Sequence, residues 1–498
     1  MSHYLGVDIG TFESKGVLVD GEGRIVAQAS RPHRMLVPQP GWAEHRPRED
    51  WWGDTVAICQ ALLAQSGVPP RDVRAVGTSA IGPCMLPVDR DGEPLMNAVL
   101  YGVDTRAAEE TAELTAAIGE DVLIERGGNA LTSQSVGPKI LWLRRRRPDL
   151  FARTHRILTA TSYLVYRLTG RFTIDHYTAS NTTPLYDVGA LSYTAGMAAD
   201  IIDLERLPEP AWTTDIAGMV TPEAAAETGL AAGTPVIVGT IDAAAEAVSV
   251  GVLDPGDMML MYGSTIFIIQ LTAERVRDRR LWYAPWLFPG QHASMSGLAT
   301  SGTLSHWFRE QFARDLDPET AFSTLAAEAE ESPPGARGLV MLPYFSGERT
   351  PIHDPQARGT LIGLNLTHTR ADVYRALLEG IAHGTRHVFD TYVDAGADPR
   401  QILAVGGGTR NRLWSEATSD ISGRTQIVRE KTVGASYGDA LLGAVAVGDA
   451  KLTDIRRWNP VARQIEPDPE TAAVHGRRHA VFRALYPRLK DLMAALDP

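Results

Sequence analysis

The stretch PVIVGTIDAAAEAVSVG, residues 235–251, decides the fold. Pro235 precedes Val236, Ile237 and Val238, a β-branched apolar run that reads as a short buried strand. Gly239-Thr240 reads as a turn, and the alanine-rich run after it as a helix. Strand, turn and helix in that order build an open α/β sheet, and such sheets place ligands beyond the carboxyl ends of their strands. One carboxylate, Asp242, stands at that point. It has two readings. As a helix N-cap it accepts N–H bonds and does nothing more. As a reactive carboxylate it is left uncrowded by Ala243, Ala244 and Ala245. The rest of the chain chooses between them.

The totals set bounds. A chain of 498 residues has room for about three domains by length, and two large α/β domains fit equally well. A formal net charge of -12 argues against nucleic acid as the main partner. It does not exclude an anionic ligand, because backbone N–H groups bind phosphate without net positive charge. Two cysteines, Cys59 and Cys84, are too few for a disulfide scaffold and suit a reducing cytoplasm. MSHYLGVDIG has no basic region followed by a long apolar one, so no signal peptide is expected. No stretch reaches transmembrane length, and a cytoplasmic protein without a membrane role is expected.

From Tyr4 to Ala29 the pattern predicts three short strands. The loop between the first two, Gly10 to Lys15, combines a glycine, the hydroxyls of Thr11 and Ser14, and Lys15, all suited to phosphate. It is not a P-loop, since no Gly-Lys-Ser/Thr follows. Asp8 just before it is a natural place for Mg²⁺ and its waters. Trp52, Val56, Ala57, Leu62 and Leu63 predict a helix over 49–65. After Asp254-Pro255-Gly256 the plan repeats without extended identity: strand 258–262, the turn Gly263-Ser264-Thr265, then strand 266–271. Two such hairpins facing each other would clamp a phosphate chain from both sides.

Four weaker features need weighing. Arg144 to Arg147 could be an anion patch, but in an acidic chain a solvated helix face is the better reading. His383 and His387 stand at i, i+4, but without a third ligand nearby they read as helix-surface histidines rather than metal ligands. Asp104 and Arg106 end an apolar run and offer hydrogen bonds to a polyol, or else form a surface ion pair. Gly434-Ala435-Ser436-Tyr437-Gly438 matches G-x-S-x-G, but the acid and histidine of a hydrolase triad do not follow on further strands, so a small-residue helix start is preferred. Finally, strand 402–405 runs into Gly406-Gly407-Gly408, where backbone can approach a flat or charged ligand, and Asn411 could read a base edge.

Taken together, these residues make the sequence resemble the FGGY family of carbohydrate kinases along nearly its whole length. The most specific match is GTLIGLNLTHTRADVYRALLE, residues 359–379, which fits the family's C-terminal signature. The first signature is met only in part, by Lys139-Ile140-Leu141-Trp142-Leu143. GVDIGT, the 406–408 glycines with Asn411, and Ser346-Gly347-Glu348-Arg349-Thr350-Pro351 also look like the family. The resemblance implies two ribonuclease-H-like domains of the actin and hexokinase type with a cleft between them, here residues 1–250 and 251–498. It implies ATP and Mg²⁺ as cofactors and a small sugar as substrate, with no nucleic acid or membrane partner, and it allows a homodimer. By position, Asp242 becomes the catalytic base and Asp8 the essential acid at the metal. Thr11, Lys15, Gly263, Ser264 and Thr265 become phosphate holders, and Gly407, Gly408 and Asn411 hold the adenosine.

Within the family the look is closest to the xylulokinases, with a departure at the sugar end. They carry Gln-Met-His-Gly where this chain has Ile81-Gly82-Pro83-Cys84. Their Trp-Asn-Asp-x-Arg becomes Tyr101-Gly102-Val103-Asp104-Thr105-Arg106, with one residue inserted. Ile81, Gly82, Asp104 and Arg106 would then meet the sugar beside Asp242. The expected reaction is transfer of the γ-phosphate of ATP to a hydroxyl of a ketopentose such as D-xylulose, or of a related polyol. Two other classes compete: a non-catalytic actin-like ATP clamp, and a serine hydrolase using Ser436. Asp242 and the Asp104/Arg106 pair weigh against the first, and the missing triad against the second.

Overall fold

The structure, a computed structural model, describes residues 2–197 and 200–496. It divides into two compact units, and neither is continuous in sequence. Unit 1 takes Met1–Leu253, Tyr283–His292 and Val433–Pro460; unit 2 takes Asp254–Trp282, Ala293–Thr432 and Val461–Pro498. The sequence reading divides the chain once, at 250. The units change near there, and the chain then crosses back twice.

Unit 1 is led by β1 (His3–Ile9), β2 (Glu13–Asp20) and β3 (Ile25–Pro32), joined as antiparallel neighbours. The turn between β1 and β2 is shorter than expected, because Glu13 to Lys15 already belong to β2. A π-type turn at Pro47–Gly53 opens α1 (Asp54–Ser66) where a single helix over 49–65 is expected. Then β4 (Val73–Ala80) lies parallel to β1. A long insertion follows, with its own core of Leu123, Ile140, Leu143 and Ile157 around α2 (Val136–Arg146). The sheet closes with β5 (Ile216–Met219) and β6 (Pro235–Ile237), and α3 (Asp242–Val250) leaves it. Its order is β5-β6-β4-β1-β2-β3. All seven residues of β1 are buried, the continuous pattern of a strand covered on both faces.

Unit 2 repeats the plan. Strands β7 (Asp257–Tyr262), β8 (Ile266–Thr272) and β9 (His292–Leu298) stand in the order β9-β8-β7. After the long helix α4 (Arg370–Asp394), β10 (Gln401–Val405) lies parallel to β7. It is followed by α5 (Arg412–Ser422) and by β11 (Gln426–Arg429), parallel to β10. Helix α6 (Ala435–Ala446) returns to unit 1. β12 (Val461–Ile465) ends the second sheet antiparallel to β11, and α7 (Ala472–Ala494) ends the described chain. From β8 onward the sheet path β9-β8-β7-β10-β11-β12 matches β3-β2-β1-β4-β6-β5 in its parallel and antiparallel pairing, with a further strand, Trp282–Pro285, beside β9 and the last two strands in the opposite chain order. Each unit has its own core, the first around Leu5, Ile58 and Val236, the second around Leu260, Leu377 and Ile402.

One expectation changes here. His383 is buried, not on a helix surface: its ring lies 5.4 Å from that of His479 and 6.2 Å from that of His475 on α7. Among the described residues, no three His, Cys, Asp or Glu side chains are grouped to hold a metal ion. Arg145 and Arg146 pair with Glu113 and Glu109 on the exposed face of the insertion, so the arginine run is solvated. Among the described residues no helix is long and apolar enough to cross a membrane.

Candidate active site

Asp242 is the first residue of α3, not its cap. Ile241 occupies the N-cap, no side chain caps there, and the Asp242 Oδ1 accepts only the adjacent Ala243 N–H at 2.7 Å. The capping reading is therefore set aside. The alanines have a purpose other than the expected one. Ala244 and Ala245 are fully buried, and a side chain on Gly438 would overlap the Ala245 carbonyl. They keep α3 thin so that α6 can lie against it.

Around Asp242 stand other acids. Asp8 ends β1, and in parallel register it faces Ser79 on β4. Burial first, then the charges of Asp242, Asp439 and Glu246, push the Asp8 carboxyl well above the usual range; Lys15 is the one opposing charge. Burial also raises Asp242, to about 7, with the Glu246 charge adding to it. These groups titrate as a set rather than singly. Among the described residues these acids are not grouped as a full ligand set, but Mg²⁺ takes only one or two carboxylates and completes its shell with water and phosphate, so Asp8 alone fits it.

The turn after Asp8 is braced from outside. His33 reaches the Gly10 carbonyl through Nε2 at 3.0 Å, with Nδ1 3.1 Å from the Asp54 carboxylate. Burial opposes a charge on His33, yet Asp54 and the Gly10 carbonyl outweigh it and hold the imidazole above its usual value. His45 Nδ1 accepts from the Trp51 indole at 3.1 Å, so its Nε2 carries the proton and donates to the Thr11 carbonyl at 3.1 Å. Burial, then His33, pushes His45 down to about 4. Neither histidine is visible as a site residue in the sequence, since 23 and 34 residues separate them from what they hold. Lys15 projects from β2 and pairs with Glu13 at 3.3 Å, both half-exposed. Thr11 Oγ1 lies 3.4 Å from the Tyr101 hydroxyl.

At the expected sugar end, Asp104 and Arg106 are enclosed, not open polar ends. Both side chains have 0% exposure and form two close bonds with each other, at 2.8 and 2.9 Å. Asp104 also accepts the Ala43 N–H, and Arg106 reaches Glu44 at 2.9 Å and stacks 3.9 Å above the Trp42 ring. Trp42 and Glu44 come from a loop some sixty residues earlier, which local pattern could not foretell. One guanidinium nitrogen, Arg106 Nη1, is buried without a hydrogen-bond partner. Lys139, from the partial signature, is buried too. It donates to the Leu100 and Tyr101 carbonyls at 2.5 and 3.0 Å, and burial brings it down to about 8. Ile81 is buried, and a side chain on Gly82 would press on Ile241, the residue before Asp242.

In unit 2 the turn Gly263-Ser264-Thr265 is held by its own unit. Ser301, Gly302 and Thr303 donate backbone N–H groups to the Ser264, Gly263 and Ser264 carbonyls at 3.1 to 3.3 Å. The Ser301 and Thr303 hydroxyls add bonds at 3.0 and 3.1 Å. The glycines after β10 differ from one another. A side chain on Gly408 would overlap Trp414 and Tyr262, so Gly408 serves packing, whereas Gly407 faces open space. Asn411 caps α5 by accepting the Trp414 N–H at 3.1 Å, which leaves its amide nitrogen for a ligand. The open Gly407 and that amide fit a flat nucleoside. Ser436 is fully buried with a partnerless hydroxyl, so it has no base and is no nucleophile.

Two sheets of like pairing, each led by a hairpin with a glycine and hydroxyl turn, define an α/β protein of the actin and hexokinase type. Residues 3–249 match the model of the FGGY family of carbohydrate kinases, N-terminal domain, and residues 258–447 match its C-terminal domain. The chain belongs to the FGGY family of carbohydrate kinases. It is accordingly a sugar kinase, a phosphotransferase with an alcohol acceptor. The xylulose kinase of Escherichia coli (strain K12) is 31% identical over 99% of this chain and 100% of its own. That of Bacillus subtilis (strain 168) is 28% identical over 100% and 99%. The crystal structure of xylulose kinase from Rhodospirillum rubrum superposes with a TM-score of 0.92, at 33% identity, over 99% of this chain and 100% of that one.

Proposed function

We propose that this sugar kinase transfers the γ-phosphate of ATP to a ketopentose or a related polyol, with D-xylulose as the first candidate and Asp242 as the general base. The observation that carries the base is its setting: an uncapping carboxylate at the head of α3, raised to about 7 and so poised to take a proton near neutral pH. The candidate sugar rests on the xylulose kinases to which the chain is similar. Asp242 would accept the hydroxyl proton and aim the oxygen. Mg²⁺, met by Asp8 directly or through water, would neutralise charge on the β- and γ-phosphates. Thr11, Lys15, Gly263, Ser264 and Thr265 would hold phosphate oxygens through N–H, hydroxyl and ammonium groups. Gly407 and the Asn411 amide would meet the adenosine, with Gly408 supporting them from the packed side. Ile81 and Gly82 would form an apolar side of the sugar site. Asp104 and Arg106 would stiffen its wall from beneath, leaving Arg106 Nη1 as the one donor there that lacks a partner.

The loss of Gln, Met and His at 81–83 bears on specificity. A site that reads hydroxyls rejects analogues by leaving buried polar groups unpaired, at roughly 1–3 kcal/mol for each missing bond. With Ile81 and Pro83 there, fewer hydroxyls are read, and the acceptor range should widen. The test is ADP release with D-xylulose, D-ribulose, L-ribulose, L-xylulose and the tetritols. D-Xylulose is expected to be accepted with neighbours within about 100-fold in kcat/KM. An inert D-xylulose would exclude it as the acceptor. Asp242→Asn should keep the melting temperature and lose about 10²- to 10⁴-fold in kcat. If half the wild-type rate survives, Asp242 is not the base.

A further inference from the structure

The segment Gly434 to Gly438 looks like a nucleophile motif and is not one, yet it has work at the acid cluster. It starts α6, and the next residue, Asp439, is fully buried. Asp439 Oδ2 lies 2.7 Å from Ser79 Oγ, and Ser79 Oγ lies 3.4 Å from Asp8 Oδ1. Asp439 Oδ1 has no hydrogen-bond partner. Register already puts Ser79 beside Asp8, so one hydroxyl joins an acid from late in the chain to the acid near the carboxyl end of β1.

The helix is pinned where it must be. A side chain on Gly6 would overlap the Ser436 carbonyl, and one on Gly77 the Asp439 carbonyl. Asp439 cannot withdraw unless α6 lifts from both β1 and β4. A buried carboxyl with no cation on it costs stability. The two residues that flank it on α6, Gly438 and Ala440, are small, so a small apolar residue at 439 would serve packing as well. The carboxyl is therefore kept for what it touches.

We infer that Asp439 is a positioning residue that fixes the Asp8 carboxylate through the Ser79 hydroxyl. The inference rests on the reading of Asp8 as the essential acid. The Ser79 hydroxyl has one proton and rotates among three wells; the 2.7 Å bond takes that proton to the pinned Asp439 and selects one well, so that the Ser79 oxygen stands 3.4 Å from Asp8 Oδ1 as a fixed neighbour and not as a second donor. Asp8 then presents its oxygens in one orientation, and reactions governed by positioning lose rate steeply when a group strays.

The experiment is a double-mutant cycle with Ser79→Ala, Asp439→Ala and both together, plus Asp439→Asn. Turnover, both KM values, the Mg²⁺ concentration for half activity and the melting temperature are measured. Mn²⁺ binding to the enzyme–ADP complex, followed by electron paramagnetic resonance, gives a readout apart from activity. Asp439→Ala is expected to lower kcat about tenfold, raise the Mg²⁺ requirement and weaken Mn²⁺, with sugar KM unchanged. Ser79→Ala should do the same, and the double variant should be no worse than either. Asp439→Asn, which can still bond the hydroxyl, should stay within about threefold of wild type. Additive losses, an Asn variant as damaged as the Ala variant, or an Ala variant with normal metal dependence would each overturn the inference. If Asp439→Ala does not fold, Ser79→Ala decides alone, and a normal Mg²⁺ requirement in it overturns the inference. The underlying reading is judged separately: an active Asp8→Asn would remove it, whereas a dead Asp8→Asn beside a healthy Asp439→Ala would remove only the role of Asp439.

Discussion

The two leading hairpins are built alike and carry opposite chemistry. Counting back from the turn glycine, Asp8 before Gly10 corresponds to Met261 before Gly263. In the parallel register, Asp8 faces Ser79 while Met261 faces Val405. The first turn is held by two histidines, one of them on a carboxylate; the second is held by backbone and hydroxyl bonds from 301–303. The same strand plan thus serves two purposes. Unit 1 keeps a polar pair, an acid and a hydroxyl. Unit 2 keeps an apolar pair and offers only the turn. Symmetry of fold does not extend to symmetry of site.

The largest expected difference is between the paired positions themselves. Asp8→Asn should lower kcat by about 10²-fold or more with the melting temperature preserved, because the carboxylate proposed to meet Mg²⁺ is lost. Met261→Leu should change kcat by less than about twofold, as a volume-conserving change at a half-buried position. If the Met261 variant loses as much as the Asp8 variant, the asymmetry is false.

Next in size is the pH profile. Because burial raises Asp242 to about 7, kcat/KM should fall about tenfold per pH unit below an apparent pKa near 7, as that carboxylate takes up a proton. A profile flat from pH 8 to 5 would show an ordinary carboxylate.

Within unit 2 the contrast lies between adjacent glycines. Gly407→Val should raise KM for ATP about tenfold at unchanged stability, since its side chain enters open space. Gly408→Ala should instead lower the melting temperature by several degrees, because its methyl meets Trp414 and Tyr262. An exchange of these outcomes would reverse the assignment of the two residues.

The smallest effect concerns the brace of the first turn. The folded state raises His33 above 6.5, so the native protein holds the extra proton and gains stability from it below pH 6.5. That gain is lost as pH rises through the folded value. Removing the side chain with His33→Leu should cost more stability at pH 6 than at pH 9, read by denaturant midpoints. Equal costs at both would mean that Asp54 does not hold a charged imidazole.

How much of this the sequence carried depends on distance along the chain. Residues 235–251 were legible because a β-branched run, a glycine and an alanine helix are local signals. The paired hairpins were legible for the same reason. Asp104 and Arg106 were read as open because Trp42 and Glu44, which enclose them, are remote in sequence. His383 was read as exposed because the helix that covers it, α7, begins nearly ninety residues later. Asp439 was overlooked beside a serine that fitted a short motif, and only the sheet brings it to Ser79.

The return of α6 to unit 1 also matters while the chain is being made. Residues 1–253 can begin to collapse early in synthesis, but the helix that packs on β1 and β4 leaves the ribosome only after most of unit 2 has been translated. At about 5–20 residues per second, that interval is on the order of ten seconds or more. Throughout it, the strands bearing Asp8 and Ser79 lack their cover, and Gly6 and Gly77 leave them a bare surface where α6 will later lie. A nascent chain therefore holds the acids long before it holds them in place, and a growing polypeptide has no finished site with which to spend nucleotide.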